Sequence, residues 1–273
     1  MSHCLINGQA LSHIDARHRG LAFGDGVFET CFSQQGRVRF LADHLDRLNR
    51  GTRALQLRWE QDDAEHLLVE IQSLLDPDNA PAVIKIMLLR QSQGRGYDYD
   101  PQRQTTDRIV MRNAYQPPDW VATGARLVMS RRYASSNPDL AGIKHLNRLD
   151  SVLARQDARH QQAHEALLCL PDGRLVEGSM SNVYLRLAGR WVTPELGCAG
   201  VEGIIRRRLV EAAPLGLGCK KIDKTEVPKA EAAMISNSLL GLVPVIELAG
   251  RPLAPPEPDE LTLFRRVAGL NHV

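Results

Sequence analysis

Lysine is scarce in this chain, with six residues among the 34 Lys+Arg. Chemistry that needs a reactive amine therefore has few places to find one. Cysteine is scarcer still: Cys4, Cys31, Cys169, Cys198 and Cys219 are odd in number and have no C-x-x-C spacing. That argues against a disulfide framework or a thiolate zinc site and fits a reducing cytosol. Charge of one sign is also lacking. The formal net charge is +2 and no run of five like charges occurs, so nothing suggests a nucleic-acid partner. Long hydrophobic runs are missing as well. The stretch from Leu239 to Ala249 is too short to span a bilayer and is interrupted by Pro244 and Glu247. The opening MSHCLINGQA has neither the basic start nor the apolar core of a signal peptide, so the expectation is a soluble, cytoplasmic protein without a membrane partner. No G-x-x-x-x-G-K-[ST] loop appears, and the glycines of Gly20–Gly26 lack dinucleotide-binding spacing. What is present is an ordinary globular composition, 43% apolar and 24% charged over 273 residues, enough for one or two domains.

Periodicity and turn residues predict mixed α and β structure. A short strand at Cys4–Ile6 ends at Asn7-Gly8. Val27–Phe32 and Val38–Phe40 flank Gln34-Gln35-Gly36 as a hairpin. Asp43 is placed to cap a helix carrying His44, Leu45, Leu48 and Leu55 on one face, and a second helix over Ala64–Leu75 stops before Asp76-Pro77. Strands follow at Val83–Leu89 and Arg108–Arg112. The paired prolines of Tyr115–Asp119 mark the best linker. The second half predicts strands at Arg126–Ser130, Ala166–Leu170, Val183–Leu187, Trp191–Thr193, Ala233–Ser236 and Val243–Glu247. Its helices are expected at Asn147–Gln162 and Ile204–Ala213. There is no internal repeat.

Few residues stand out for chemistry. Lys144 follows Ala-Gly-Ile and precedes a helix, which suits the mouth of a site, but a solvated surface lysine fits the spacing too. Lys220, Lys221, Lys224 and Lys229 crowd a polar stretch, so Lys85, inside a strand, is the remaining rival. Glu177 stands at a strand end beside glycine and hydroxyl residues, as a functional or a turn carboxylate. Gly200-Val-Glu-Gly-Ile-Ile-Arg206 presents the N–H groups of a helix start, which favour a phosphate dianion. Ser236-Asn-Ser238 offers hydroxyl and amide donors or a plain turn. Arg47 offers a phosphate-pairing guanidinium or an amphipathic-helix surface.

Taken in order, Phe23-Gly-Asp-Gly-Val-Phe-Glu29, His44-Leu-Asp-Arg47, Lys144, Val176-Glu-Gly-x-x-Ser-Asn182, Gly200-x-x-Gly-Ile204 and Ser236-Asn-Ser238 resemble the class IV family of pyridoxal-phosphate enzymes, from residue 5 to about 247. Within it, Ala141-Gly-Ile-Lys-His-Leu-Asn-Arg-Leu149 and Gly94-Arg-Gly-Tyr97 look like the aminodeoxychorismate lyases. Branched-chain aminotransferases typically place a tyrosine five residues after the lysine, where this chain has Leu149. The resemblance implies an α/β (α+β) fold of two domains: 1–115, a linker at 116–124, and a larger cofactor-binding domain at 125–273. It also implies a homodimer. Pyridoxal 5'-phosphate would be held by Lys144 as Schiff-base lysine, by Glu177 at the pyridine nitrogen, and by Arg47, the backbone N–H groups of Ile204 and Ile205, and Ser238 around the phosphate, with Asn237 a further cofactor-binding residue. No metal is implied. Thr30 is the candidate proton relay, and Arg95 and Arg148 are the candidate carboxylate-binding residues of a lyase that splits 4-amino-4-deoxychorismate into p-aminobenzoate and pyruvate on the way to folate. The alternatives are a D-amino-acid or branched-chain aminotransferase of the same fold, and a non-catalytic binding protein that keeps the scaffold.

Overall fold

The computed structural model describes residues 3–75, 80–92 and 94–270. It divides into two compact units, Met1–Gln116 with Ile143–Asn147, and Pro117–Gly142 with Arg148–Val273.

The first unit holds strands β1 (Cys4–Ile6), β2 (Gly26–Gln34), β3 (Arg37–Val38), β4 (Ala82–Gln91) and β5 (Thr105–Ala114), paired antiparallel in the order β1-β5-β4-β2-β3. Its helices are α1 (Arg19–Phe23), α2 (Leu41–Ala54) and α3 (Gln61–Leu74). Side chains alternate across a strand. Ile84, Ile86 and Leu88 of β4 and Val27 and Cys31 of β2 therefore share one buried face, covered by Leu48 of α2 and by Leu67, Ile71 and Leu74 of α3. Each such burial contributes roughly 1.5–3 kcal/mol. The intervening residues Phe28, Thr30, Lys85 and Met87 are left half-buried on the other face.

Asp43 does not cap α2. The helix starts two residues earlier, because Phe40 takes a left-handed turn (φ 58°) that ends β3 and starts the helix with no side-chain cap; Asp43 sits in the first turn. Helix α3 starts at Gln61 rather than at Ala64. Glu60 and Asp63 form a reciprocal capping box that fixes its first turn. The predicted stop at Asp76-Pro77 lies outside the described residues.

Ile143–Asn147 runs along β2. The Phe28 N–H donates to the Lys144 carbonyl at 2.9 Å, the Leu146 N–H donates to the Gly26 carbonyl at 3.0 Å, and Val27 bridges to His145. Lys144 is thus seated on the first unit, although its position in the chain put it in the 125–273 domain.

The second unit carries α4 (Trp120–Thr123), β6 (Ala125–Tyr133), α5 (Leu149–His160), β7 (Glu165–Cys169), β8 (Leu175–Gly178), β9 (Asn182–Leu187), β10 (Arg190–Pro194), α6 (Ile204–Ala212), β11 (Gly218–Lys220), β12 (Ala232–Asn237), β13 (Gly241–Leu248), β14 (Arg251–Pro252) and α7 (Pro258–Val267). The strands form one sheet in the order β11-β10-β9-β12-β13-β6-β7-β8, with β14 on β13 and parallel pairs at β13–β6, β6–β7 and β10–β11. The expected linker is partly structured, since Trp120 of α4 stacks on His164 at 5.0 Å. The apolar residues Leu149, Val152 and Leu153 lie on α5 as predicted, but they face outward, and the helix buries Ala154, Asp157 and Ala158 instead. Among the described residues no helix is long and apolar enough to cross a membrane.

Candidate active site

In the first unit the Lys144 ammonium stands over the Phe28 ring, 4.1 Å from its centroid, and Lys85 approaches the same ring at 5.8 Å. Cation–π contacts of this kind contribute about 0.5–2 kcal/mol. Thr30 is the cross-strand partner of Lys85 on that face. Both predicted residues, Lys144 and Thr30, therefore belong to one unit. Phe28, which the sequence reading did not single out, lies against the lysine.

On the buried face, Glu29 is enclosed. Arg47 donates from Nε to Oε1 at 2.7 Å and from Nη2 to Oε2 at 2.6 Å, and His44 Nδ1 lies 2.6 Å from Oε2. Burial pushes the Glu29 carboxyl up, but the charge and hydrogen bonds of Arg47 and the His44 contact outweigh this and hold it at about 2. An ionised carboxylate only accepts, so His44 carries its proton on Nδ1. Burial lowers the His44 pKa, and its Nε2 has no hydrogen-bond partner in its buried position. Burial raises the neighbouring Cys31 thiol. Glu29, Cys31 and His44 offer ligand atoms within 4.8 Å of one another, yet the guanidinium already neutralises the carboxylate. Two of the Arg47 donors are thus committed to Glu29, which orients the rest of the group.

Arg95 is exposed in the turn Gly94–Asp98. Its shape comes from Arg19, another residue the sequence reading missed. Arg19 donates from Nη1 to the Gly96 and Asp98 carbonyls at 3.0 and 2.9 Å, from Nη2 to the Tyr97 carbonyl at 3.0 Å, and from Nε to Asp25 at 3.0 Å.

In the second unit Glu177 ends β8 with its Oε2 accepting from the Val201 N–H at 2.8 Å. Arg148 Nη1 is 3.9 Å from Oε1 of the same carboxylate, so the structure places this predicted carboxylate-binding arginine beside Glu177. Asn182 Oδ1 accepts from the Gly203 N–H at 3.1 Å and its Nδ2 donates to the Val201 carbonyl at 2.9 Å. Gly203 is the N-cap of α6 and brings no capping side chain of its own. Its φ of −64° is open to any residue, so the glycine is required by space: an added Cβ would overlap Asn182 Oδ1. The N–H groups of Ile204 and Ile205 follow in the first helical turn, where donors have no intrahelical acceptor.

Asn237 is spent on its own turn. Its Oδ1 accepts from the Leu239 and Leu240 N–H groups at 3.0 and 2.8 Å, and its Nδ2 donates to the Met180 carbonyl at 3.0 Å. A direct side-chain contact to phosphate would break these bonds. Ser236 lies 2.8 Å from the Tyr184 hydroxyl, and burial raises the Tyr184 pKa. A further residue missed in the sequence is Glu165, fully buried at the start of β7 and surrounded by donors of the loop Ser179–Ser181. An acid opening the otherwise apolar run Ala166–Cys169 was the available signal.

A phosphorylated pyridine aldehyde asks for an amine, a carboxylate and a set of phosphate donors. Within the first unit Lys144 is such an amine; within the second, taken by itself, Glu177 is such a carboxylate and the start of α6, with a glycine cap whose space a side chain would fill, offers phosphate donors. This donor chemistry fits the group.

The comparisons agree with the fit. The sequence profile of the class IV aminotransferase family matches residues 26–248. An aminodeoxychorismate lyase from Vibrio harveyi is 27% identical over 88% of this chain and 89% of its own length. A D-alanine aminotransferase from Bacillus licheniformis is 25% identical over 94% and 92%. The crystal structure of 4-amino-4-deoxychorismate lyase from Pseudomonas aeruginosa superimposes with a TM-score of 0.88 at 30% identity, covering 99% of this chain and 100% of that one. The chain belongs to the class IV aminotransferase family, whose members work with pyridoxal 5'-phosphate.

Proposed function

We propose that this protein is a pyridoxal-phosphate-dependent lyase that converts 4-amino-4-deoxychorismate to p-aminobenzoate and pyruvate. The observation that carries the reading is the segment Ala141–Leu149. It sets Lys144 over Phe28 and has Leu149, 75% exposed and without a polar side-chain atom, at the position where branched-chain aminotransferases typically carry a tyrosine. The similarity to the Vibrio and Pseudomonas lyases supports it.

When bound, pyridoxal phosphate supplies an electrophilic aldehyde and a protonated ring that accepts electron density. Lys144 would hold the cofactor through Nζ, and the same amine would take the proton from the substrate carbon bearing nitrogen. The bond between the substrate ring and the enolpyruvyl oxygen breaks, the oxygen keeps the electron pair, and the substrate ring becomes aromatic. Thr30 relays a proton to the enolpyruvyl methylene, so one proton leaves carbon and one is returned. Glu177 would hold the pyridine nitrogen. Arg47, the Ile204 and Ile205 N–H groups and Ser238 would hold the phosphate, and Asn237 shapes the turn beside Ser238. Arg95 and Arg148 pair with substrate carboxylates. Fixing reactive groups in this way contributes roughly 7–11 kcal/mol. The reading carries with it a cytoplasmic homodimer.

The test is turnover by the holoenzyme with aminodeoxychorismate, with and without an α-keto acid. Pyruvate and p-aminobenzoate should appear in equal amounts without the keto acid, and Lys144→Ala should abolish both products together with borohydride-fixable cofactor. Turnover that requires the keto acid would instead identify an aminotransferase.

A further inference from the structure

Among the described residues Lys85 is a cation without an anion. It lies mid-strand in β4, half-buried, on the face of the first unit's sheet that carries Phe28 and Thr30. The three buried arginines of this unit each have a carboxylate: Arg19 and Arg90 share Asp25, and Arg47 holds Glu29. Among the described residues Lys85 has no such partner, and its ammonium contacts only the Phe28 ring, at 5.8 Å. A partly desolvated ammonium that lacks a counterion is completed by an anion arriving with a ligand, and charge-assisted hydrogen bonds are the strong ones.

We propose that Lys85 is a carboxylate-binding site for the substrate, taking the ring carboxylate of a molecule whose nitrogen is presented to Lys144. This rests on the lyase reading and adds a residue to it. The spacing supports the assignment. Lys144 and Lys85 approach the same Phe28 centroid at 4.1 and 5.8 Å, so the two amines lie within about 10 Å of each other. Ordinary bond lengths put a ring nitrogen substituent and a carboxylate oxygen at opposite ends of a six-membered ring ~6 Å apart. A charge-assisted hydrogen bond adds ~2.8 Å. A ring amino acid of para geometry with one such hydrogen bond falls inside that limit. A carboxylate site at Lys85 serves a ring substrate whose carboxylate lies opposite its nitrogen. It also removes Lys85 as a rival for the cofactor: the two unclustered lysines have separate tasks on one ring.

The probes are p-aminobenzoate and aniline, which differ by the carboxylate alone, bound to the holoenzyme and followed by calorimetry. The unaltered protein should prefer p-aminobenzoate about ten- to a hundredfold, the range for a hydrogen bond to a charged group. Lys85→Met should collapse that preference to about threefold or less, and Lys85→Arg should restore most of it. Should Lys85→Met fail to fold, Lys85→Gln carries the same expectation. The KM for aminodeoxychorismate should rise with the lost preference, and kcat should fall by less. No preference in the unaltered protein, or a preference unchanged in Lys85→Met and Lys85→Gln, overturns the proposal, because a lysine that only reaches for water is indifferent to the ligand's carboxylate. The binding assay needs no turnover. A protein that binds p-aminobenzoate through Lys85 yet releases no pyruvate sinks the lyase reading and leaves the carboxylate site standing.

Discussion

Replacing Glu165 should loosen the cofactor as well as the fold. Its carboxylate is fully buried and accepts five hydrogen bonds. Oε1 takes the Ala166 and Ser179 N–H groups, each at 2.9 Å, and the Ser179 hydroxyl. Oε2 takes the Met180 N–H at 3.2 Å and the Ser181 hydroxyl at 2.8 Å. Glu165→Ala strands three backbone N–H groups, since the hydroxyls can rotate and the N–H groups cannot. At about 1–3 kcal/mol for each unsatisfied donor, less what water entering the cavity restores, the loss is on the order of 3–5 kcal/mol. Glu165→Gln is milder. Its oxygen replaces Oε1 and its amide group sets a donor against the single Met180 N–H, at a cost of about 1–3 kcal/mol. The loop these bonds hold joins Glu177 to Asn182, and Asn182 holds the Gly203 cap of α6. Urea unfolding of the apoenzyme gives the stability change. Titration with pyridoxal phosphate at low temperature, where both variants are folded, gives the affinity, which should weaken about tenfold or more for Ala and less for Gln. A Glu165→Ala protein within about 0.5 kcal/mol of the parent, with unchanged cofactor affinity, would show that the network does no positioning.

Gly203→Ala should weaken cofactor binding without unfolding the protein, because its backbone angles suit alanine and only the Asn182 side chain objects. Asn182→Ala in that background should restore part of the affinity in the same titration, and no recovery would mean the clash is not the cause. Acid should destabilise the first unit in two stages, read by urea unfolding across pH. Burial holds the folded His44 below the ordinary imidazole value of 6.5, so its contribution is present above 6.5 and is lost as pH falls through the lowered value. Glu29, held at about 2 against 4.5, adds a contribution present above 4.5 and lost as pH falls toward 2. Stability independent of pH between about 7 and 3 would refute both assignments.

Local chemistry was legible in the sequence where it repeats at short range. A strand is predicted at Val83–Leu89, the structure has it at Ala82–Gln91, and Ile84, Ile86 and Leu88 are its buried face. Gln34-Gln35-Gly36 predicts a hairpin, and β2 pairs antiparallel with β3 across it. What failed was set by neighbours distant in the chain. Asp43 has the right side chain for a cap, but the left-handed turn at Phe40 starts the helix before it. The periodicity of Leu149, Val152 and Leu153 identifies a helix and says nothing about which face is covered; the covered face is the small one, Ala154 and Ala158. The seat of Lys144 along β2 depends on a pairing more than a hundred positions away in the chain, which no spacing rule reaches.

The scarcity of lysine acquires a physical reason once the side chains are placed. Guanidinium groups hold the structural charge: Arg19, Arg47 and Arg90 are buried and paired, and Arg19 pins three consecutive carbonyls. A planar fork with a pKa above 12 suits such work and cannot give up a proton near neutrality. Lysine is suited to the opposite task, because an amine can cycle between charged and neutral. Four of the six lysines lie exposed between positions 220 and 229. The other two, Lys85 and Lys144, converge on one aromatic ring despite being 59 positions apart in the chain. Surface lysines have no reason to share a ring when most cationic positions in the chain are filled by arginine. A site that needs one amine to exchange protons and a second compact charge to hold an anion gives them that reason.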